Sequence, residues 1–298
     1  MTDVLKKRLF AFIRRAVLRY RESRKKRMIR RYYRNGQNPF GPGYGPAKLA
    51  YLRNVFDSPD VMHCFRKQQS LPDRYGFRFD ERVIELPWVL AHDDSIRGRV
   101  LDAGSALNDP ELLQYFTGTG RNLHILTLSP ESHCGWHQGI SYLFEDLRNL
   151  PYRDEWFDTC ICISTLEHVG MDTRIYTKSK HPVPVDTAAY LQALAELKRV
   201  LKKGGILYLT VPFGQYENHG WLQQFDVTMI DKVISVFHVK KSTVAYFRYV
   251  DGTGWQIAGA DECQGARYVD RVSPGKKDGL SADRAVAAGA VACMECIK

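Results

Sequence analysis

Apolar runs alternating with polar connections organise the centre of the chain. One run closes on an acid and a glycine, Val100-Leu101-Asp102-Ala103-Gly104, and the sequence then turns polar through Ser105 to Asn108. This predicts a buried strand feeding a tight turn. Further runs at Leu123 to Leu128, Ile140 to Phe144, Thr159 to Ile163 and Ile206 to Val211 predict strands two to five. Runs this continuous suit strands covered on both faces, and the helical or short connections between them predict βαβ units around a parallel sheet. The period changes over Asp186 to Leu201, where Tyr190, Leu191, Leu194, Leu197, Val200 and Leu201 keep to one helical face. Asp186 is the expected N-cap, and Gly204-Gly205 the stop. Asp226 to Phe237 predicts another helix. Thr243 to Val250 and Ala285 to Ile297 then predict two long final strands, with no helix-length pattern between them.

Ahead of the sheet, Pro46 to Phe56 reads as a helix, and a polar stretch runs from there to Glu81. Val83 to Ala91 is an apolar run interrupted at Pro87 that should pack against the sheet. Residues 35–45 are dense in Gly, Pro and Asn and mark a linker. In the first residues Leu5, Leu9, Ile13, Val17 and Tyr20 recur at helical spacing, with Lys6, Lys7, Arg14, Arg15 and Arg21 largely off that stripe. The expected organisation is a basic amphipathic tail over 1–34, the linker, and a single domain over 46–298 that begins with a helical extension.

Charge sharpens the division. Of the net +10, residues 1–34 contribute +12, with fourteen Lys and Arg against Asp3 and Glu22, so the remainder is slightly acidic at −2. A basic amphipathic helix can lie on an anionic membrane surface or remain a solvated arm against the body, and a mitochondrial transit peptide has similar composition. Nucleic acid is the poorest fit, because the body adds no basic surplus. No stretch approaches the roughly 20 apolar residues that span a bilayer, and the start lacks a secretory h-region. Seven cysteines at irregular spacing argue against a disulfide framework, so a cytoplasmic protein, membrane-associated through its tail, is expected.

Several landmarks recur in a fixed order. They are Val100-Leu101-Asp102-Ala103-Gly104, Asp146 after strand three, Leu150-Pro151 then Phe157-Asp158, Leu166-Glu167-His168-Val169 after strand four, and Leu197 to Gly205 leading into strand five. Together they resemble the class I S-adenosylmethionine-dependent methyltransferases over roughly residues 83–298. The resemblance implies a Rossmann-like, doubly wound α/β sheet of seven strands, order 3-2-1-4-5-7-6, with strand seven antiparallel. It also implies S-adenosylmethionine as the cofactor, held at the carboxyl ends of the strands where their order reverses.

On that resemblance Asp102 organises the loop around the methionine part, Gly104 and Ser105 approach the donor, Asp146 accepts from the adenine amino group with Leu147 near its ring, and Ser164 and Thr165 line the methionine side. Two features depart from the family's pattern. Only the first glycine of the usual Gly-x-Gly is present. Strand two ends on Thr127 where the family has a ribose-gripping acid, which passes that contact to Ser129 or Glu131.

The connection from Pro212 to Asp226 is dense in amides, acids and aromatic rings. It resembles a segment of bacterial methyltransferases associated with surface-glycan synthesis. This predicts O-methylation of a polar glycan or lipid-linked acceptor, with His219 or His168 as general base and Glu217, Trp221 and Asp226 binding the acceptor. Glu217, Asp226 or Glu167 would orient the imidazoles. The alternatives are a lipid or quinone methyltransferase at a membrane surface, and a non-catalytic S-adenosylmethionine-binding module. No metal is expected: Cys293 and Cys296 lie three apart in a strand and point to opposite faces, and His133, Cys134 and His137 read as a polar loop. Cys160 and Cys162 read as small buried hydrophobes. The sequence sets no oligomeric state.

Overall fold

The computed structural model describes residues 3–117, 120–181, 183–237, 243–270, 283 and 287–298. Four helices precede the sheet: α1 (Asp3–Arg34), α2 (Tyr44–Phe56), α3 (Pro59–Lys67) and α4 (Arg82–Leu90). Then follow β1 (Arg99–Ala103), α5 (Pro110–Phe116), β2 (Asn122–Thr127), β3 (Ser141–Phe144), β4 (Phe157–Ile163), α6 (Arg174–Thr177), α7 (Tyr190–Val200) and β5 (Leu201–Pro212). A two-stranded ribbon of β6 (Glu217–Asn218) and β7 (Gln223–Gln224) leads into α8 (Val227–Phe237). The chain closes with β8 (Thr243–Val250), β9 (Gly254–Ala258), α9 (Ala260–Cys263) and β10 (Ala290–Ile297).

The main sheet has the order β3-β2-β1-β4-β5-β10-β8-β9. Strands β1 to β5 are mutually parallel, and β10 inserts antiparallel between β5 and β8. The expected 3-2-1-4-5-7-6 arrangement is therefore present, with β8 and β10 as strands six and seven, but the sheet has eight strands. The additional one is β9, paired antiparallel to β8 at the edge. Its signal stood in the sequence as Asp251-Gly252, the dipeptide of tight hairpin turns. Trp255 secures it, buried against Tyr249 and donating its indole N–H to Phe79 O at 3.0 Å.

Each face of the sheet has its own apolar layer. Leu52, Phe65, Trp88 and Phe116 from the leading helices and α5, with Phe79 from the segment between α3 and α4, cover one face, and α7 and α8 cover the other through Leu194, Leu197, Ile230 and Val233. Cys293 belongs to the first layer and Cys296 to the second, as the alternation of side chains along β10 requires. Cys160 and Cys162 are fully buried.

Several boundaries differ from the sequence reading. The polar stretch before Glu81 contains α3, started by Pro59 at its first turn, with Met62 and Phe65 buried. Asp186 does not cap α7. Its Oδ1 accepts from Ala188 N–H in the turn before, and Ala189 holds the cap position. Pro87 lies inside α4 without ending it. The Val83 carbonyl, which the missing N–H of Pro87 leaves free, accepts instead from the Tyr75 hydroxyl at 2.6 Å. Residues 35–43 form turns packed between α1 and α2. There Gly43 has φ 91°, and a Cβ on it would lie 2.6 Å from Met28 O.

Candidate functional site

The carboxyl ends of β1, β2 and β4 meet at the point where strand order reverses. Past β1, Gly104 N–H donates to Leu126 O at 2.8 Å, and past β3, Glu145 N–H donates to Thr127 O at 3.1 Å. Gly104 has φ 119°, and a Cβ there would collide with the Thr165 hydroxyl beyond β4. Glycine is thus required twice over, once by the backbone conformation and once by the closeness of the two loops. Ser105 follows with φ 62°.

Asp102 is fully buried beneath this turn, and its Oδ2 accepts from Leu107 N–H at 2.9 Å. Burial pushes its carboxyl up to about 7, against the backbone N–H groups of Leu107 and Ala106, which favour the charged form. Its Oδ1 has no hydrogen-bond partner among the described residues. A close-packed glycine turn over a buried acid with one free oxygen fits a cationic, amino-acid-bearing ligand such as the methionine part of S-adenosylmethionine.

The loop after β2 folds back over the same turn. Ser105 Oγ donates to Glu131 Oε1 at 2.6 Å, Asn108 Nδ2 donates to His133 O at 2.9 Å, and the Tyr142 hydroxyl donates to Asn108 Oδ1 at 2.8 Å. An acid therefore does stand beside the glycine turn, delivered by the loop. Asp146 lies one residue past the Glu145–Thr127 bond, and its carboxylate is bidentate with Arg148. Burial alone would raise that carboxyl, but the Arg148 hydrogen bonds hold it below the usual carboxylate range. Leu147 is buried next to it. Thr127 and Ser129 border the same opening from the end of β2.

Across Thr165 the chain enters a 3-10 turn, Leu166–His168. The connection after β5 lies over it. His168 Nδ1 is 3.0 Å from Trp221 O, its ring stacks on the Trp221 indole at 5.3 Å, and Gly220 O accepts from Asp172 N–H. The Tyr176 hydroxyl is 3.1 Å from His168 Nε2. Burial pushes His168 down to about 4, so it is neutral at physiological pH.

His219 sits differently from the expected base. Its Nε2 is 3.4 Å from Glu217 Oε2 and its Nδ1 is 3.5 Å from Asp270 Oδ2, within a nearly closed environment. Glu217 also accepts from Arg267 Nε and Tyr268 N–H, and Asp270 accepts from the Trp221 indole. Asp226 is committed to α8, with Oδ1 accepting from Met229 N–H at 2.9 Å. The geometry thus gives His219, Glu217 and Asp226 scaffold contacts, and brings His168, Glu167 and Trp221 together.

Sequence reasoning did not single out the first turn of α4. Glu85 is fully buried, and its Oε1 accepts from the Ser164 and Thr210 hydroxyls at 2.5 and 2.8 Å. Its Oε2 pairs with Arg82 Nη1 at 2.6 Å. One side chain of the extension so ties together the ends of β4 and β5. The signal was an acid inside the apolar run Val83 to Leu90, a position that costs several kcal/mol unless paired. Glu81 accepts from Ala288 N–H, and burial, with Asp80 and Glu85 nearby, pushes its carboxyl up to about 7.

Residues 109–209 match the family model described as a methyltransferase domain. No curated protein matches the chain. Among solved structures, an S-adenosylmethionine-dependent methyltransferase of Thermotoga maritima is 12% identical with a TM-score of 0.43, over 84% of this chain and 99% of that one. The 1,6-didemethyltoxoflavin-N1-methyltransferase of Burkholderia thailandensis, which holds S-adenosylhomocysteine, is 13% identical with a TM-score of 0.40, over 87% and 92%. The cyclase SpnF is 18% identical with a TM-score of 0.39, over 52% of this chain and 57% of its own length. Residues 109–209 thus resemble a methyltransferase domain, within a Rossmann-like sheet.

Proposed function

We propose that the protein transfers a methyl group from S-adenosylmethionine to a hydroxyl of a polar, glycan or lipid-linked acceptor. The observation that carries the donor half is the turn at Gly104, with no room for a Cβ against Thr165, above the buried Asp102. In this reading Asp102 orders the turn, Ser105 and Glu131 face the ribose hydroxyls with Thr127 and Ser129 beside them, and Asp146 accepts from the adenine amino group above Leu147. Ser164 and Thr165 border the methionine part. Bound S-adenosylmethionine supplies an electrophilic methyl on a sulfonium, so alignment of the acceptor oxygen provides much of the acceleration. His168, Trp221 and Tyr176 would form the wall that aligns it. Calorimetry with S-adenosylhomocysteine tests the donor half: Asp146→Ala should weaken binding by about 1 to 3 kcal/mol, and unchanged affinity removes the adenine contact.

The membrane reading rests on α1. Phe10, Phe12, Ile13, Val17, Leu18 and Tyr20 are all exposed, between 43% and 71%, while Tyr32 near the other end of the helix is 2% exposed in the core. Phe12, Ile13, Val17 and Tyr20 fall within less than half a turn of the helix, with Arg21 and Arg14 at one border of that side and Arg15 beyond the other. Beyond Arg21 basic residues surround the helix, so the amphipathic character belongs to its first half. An exposed apolar face flanked by arginines is complementary to an anionic bilayer surface. Among the described residues no helix is long and apolar enough to cross a membrane.

A further inference from the structure

Glu167 is a buried acid in the 3-10 turn after β4, with one carboxylate oxygen left over. It is 2% exposed, its Oε2 has no hydrogen-bond partner among the described residues, and its Oε1 is 3.8 Å from His168 Nε2. It stands two residues past Thr165, the residue that closes on Gly104, and so directly on the acceptor side of the donor turn. A buried, unpaired carboxylate oxygen is costly, and an apolar residue in its place would be cheaper for folding.

We propose that Glu167 is the group that receives the acceptor hydroxyl and takes its proton. This deepens the reading of the protein as an O-methyltransferase and rests on it. As the acceptor oxygen bonds to the methyl carbon, the carbon–sulfur bond breaks and its electron pair stays on sulfur. The hydroxyl proton passes to the carboxylate of Glu167, and from there to solvent after product leaves.

The neighbours account for the assignment. The imidazole of His168 is already engaged: its Nδ1 faces a carbonyl oxygen and so bears the hydrogen, and the Nε2 lone pair accepts from Tyr176. A histidine pushed down to about 4 is also a weak base. Burial drives Glu167 the other way, well above the ordinary carboxylate range; its own backbone N–H and Arg82 oppose the rise, and the negative charges of Glu85 and Glu81 add to it. Tyr176 on α6, Tyr268 near the end of the post-β9 segment, and Cys162 on β4 are the remaining titratable groups that feel its charge. Their own ionisation is suppressed by burial, so none competes for the role. Arg82 commits Nη1 to Glu85 at 2.6 Å and does not neutralise Glu167 by a direct pair.

The test compares wild type, Glu167→Gln and Glu167→Asp in the full chain. Methyl-labelled S-adenosylmethionine is supplied with polar and lipid extracts of the host, and thermal midpoints are recorded from pH 5 to pH 8. We expect E167Q to lower label transfer by about 10²- to 10⁴-fold with affinity for S-adenosylhomocysteine unchanged, and E167D to retain part of the transfer. Because a raised carboxyl favours folding only while protonated, the midpoint of E167Q should gain on wild type as pH rises. Transfer by E167Q at the wild-type rate, or a pH-independent loss of midpoint, overturns the proposal. If E167Q does not fold, E167D at the wild-type rate with an unshifted pH profile overturns it equally. Absence of S-adenosylhomocysteine binding or of label transfer in wild type would instead remove the methyltransferase reading beneath it.

Discussion

Ser105 Oγ donates to Glu131 Oε1 at 2.6 Å, so an acid from the loop after β2 reaches the turn that follows β1. The strand itself ends on Thr127, which has no carboxylate to offer a ribose. Glu131 is the acid that can replace it. Glu131→Gln should weaken S-adenosylhomocysteine binding by about 1 to 3 kcal/mol, measured by calorimetry, with the melting temperature nearly unchanged. Equal affinity in the variant would return the ribose contact to Ser129 or leave it to the backbone.

Asp102 carries a pH signature. A carboxyl raised to about 7 in the folded protein binds its proton more tightly there than in the unfolded chain. Its contribution is full below the unfolded value, about 4, and is lost as pH rises towards 7. Asp102→Asn retains an oxygen for Leu107 N–H and cannot ionise. Its midpoint should therefore fall less than that of wild type between pH 4 and pH 7, and parallel curves would contradict the burial argument.

His219 lies between the half-buried Glu217 and the buried Asp270, and removing its ring takes a polar neighbour from each. His219→Ala should cost about 1 to 3 kcal/mol of stability, read from denaturant unfolding. A general base would instead show itself as lost turnover at unchanged stability, so a variant as stable as wild type but inactive would restore the catalytic assignment.

Much of this was legible before the structure, and the reasons are local. The five parallel strands each present a continuous apolar run, and the landmarks at Asp102, Asp146 and Glu167-His168 follow directly on strand ends, where chain order alone fixes their place. What could not be read were approaches between distant segments. Glu85 and Ser164 are seventy-nine positions apart, and nothing in either neighbourhood specifies the other. The direction of the pKa shifts was also hidden. An imidazole is the natural base in isolation, and only burial, which the sequence does not display, pushes His168 down and Glu167 up. In the connection after β5, Glu217 and Asp226 make contacts within the fold that their residue types alone did not specify.

For α1, the anchoring of Tyr32 and the contact of Lys25 with Glu111 show where a truncation must stop. Removing residues 1–22 should leave a folded protein with wild-type affinity for S-adenosylhomocysteine that no longer sediments with phosphatidylglycerol vesicles. Equal sedimentation would reject the membrane surface. Sedimentation of the full chain that persists in high salt would show that Phe12, Ile13 and Val17 insert, since headgroup attraction is screened over about 8 Å at physiological ionic strength.

The bond network of Glu85 also bears on which stretches of the chain can vary independently. The segment that matches the methyltransferase family runs from 109 to 209, whereas Glu81, Arg82 and Glu85 come before it, and Trp221, Tyr268 and Asp270 after it. The stretch before that segment is joined through Glu85 to Ser164 within it and to Thr210 just past its end. A rebuilt leading segment would leave the ends of β4 and β5 undisturbed only if it still supplied an oxygen for these two hydroxyls.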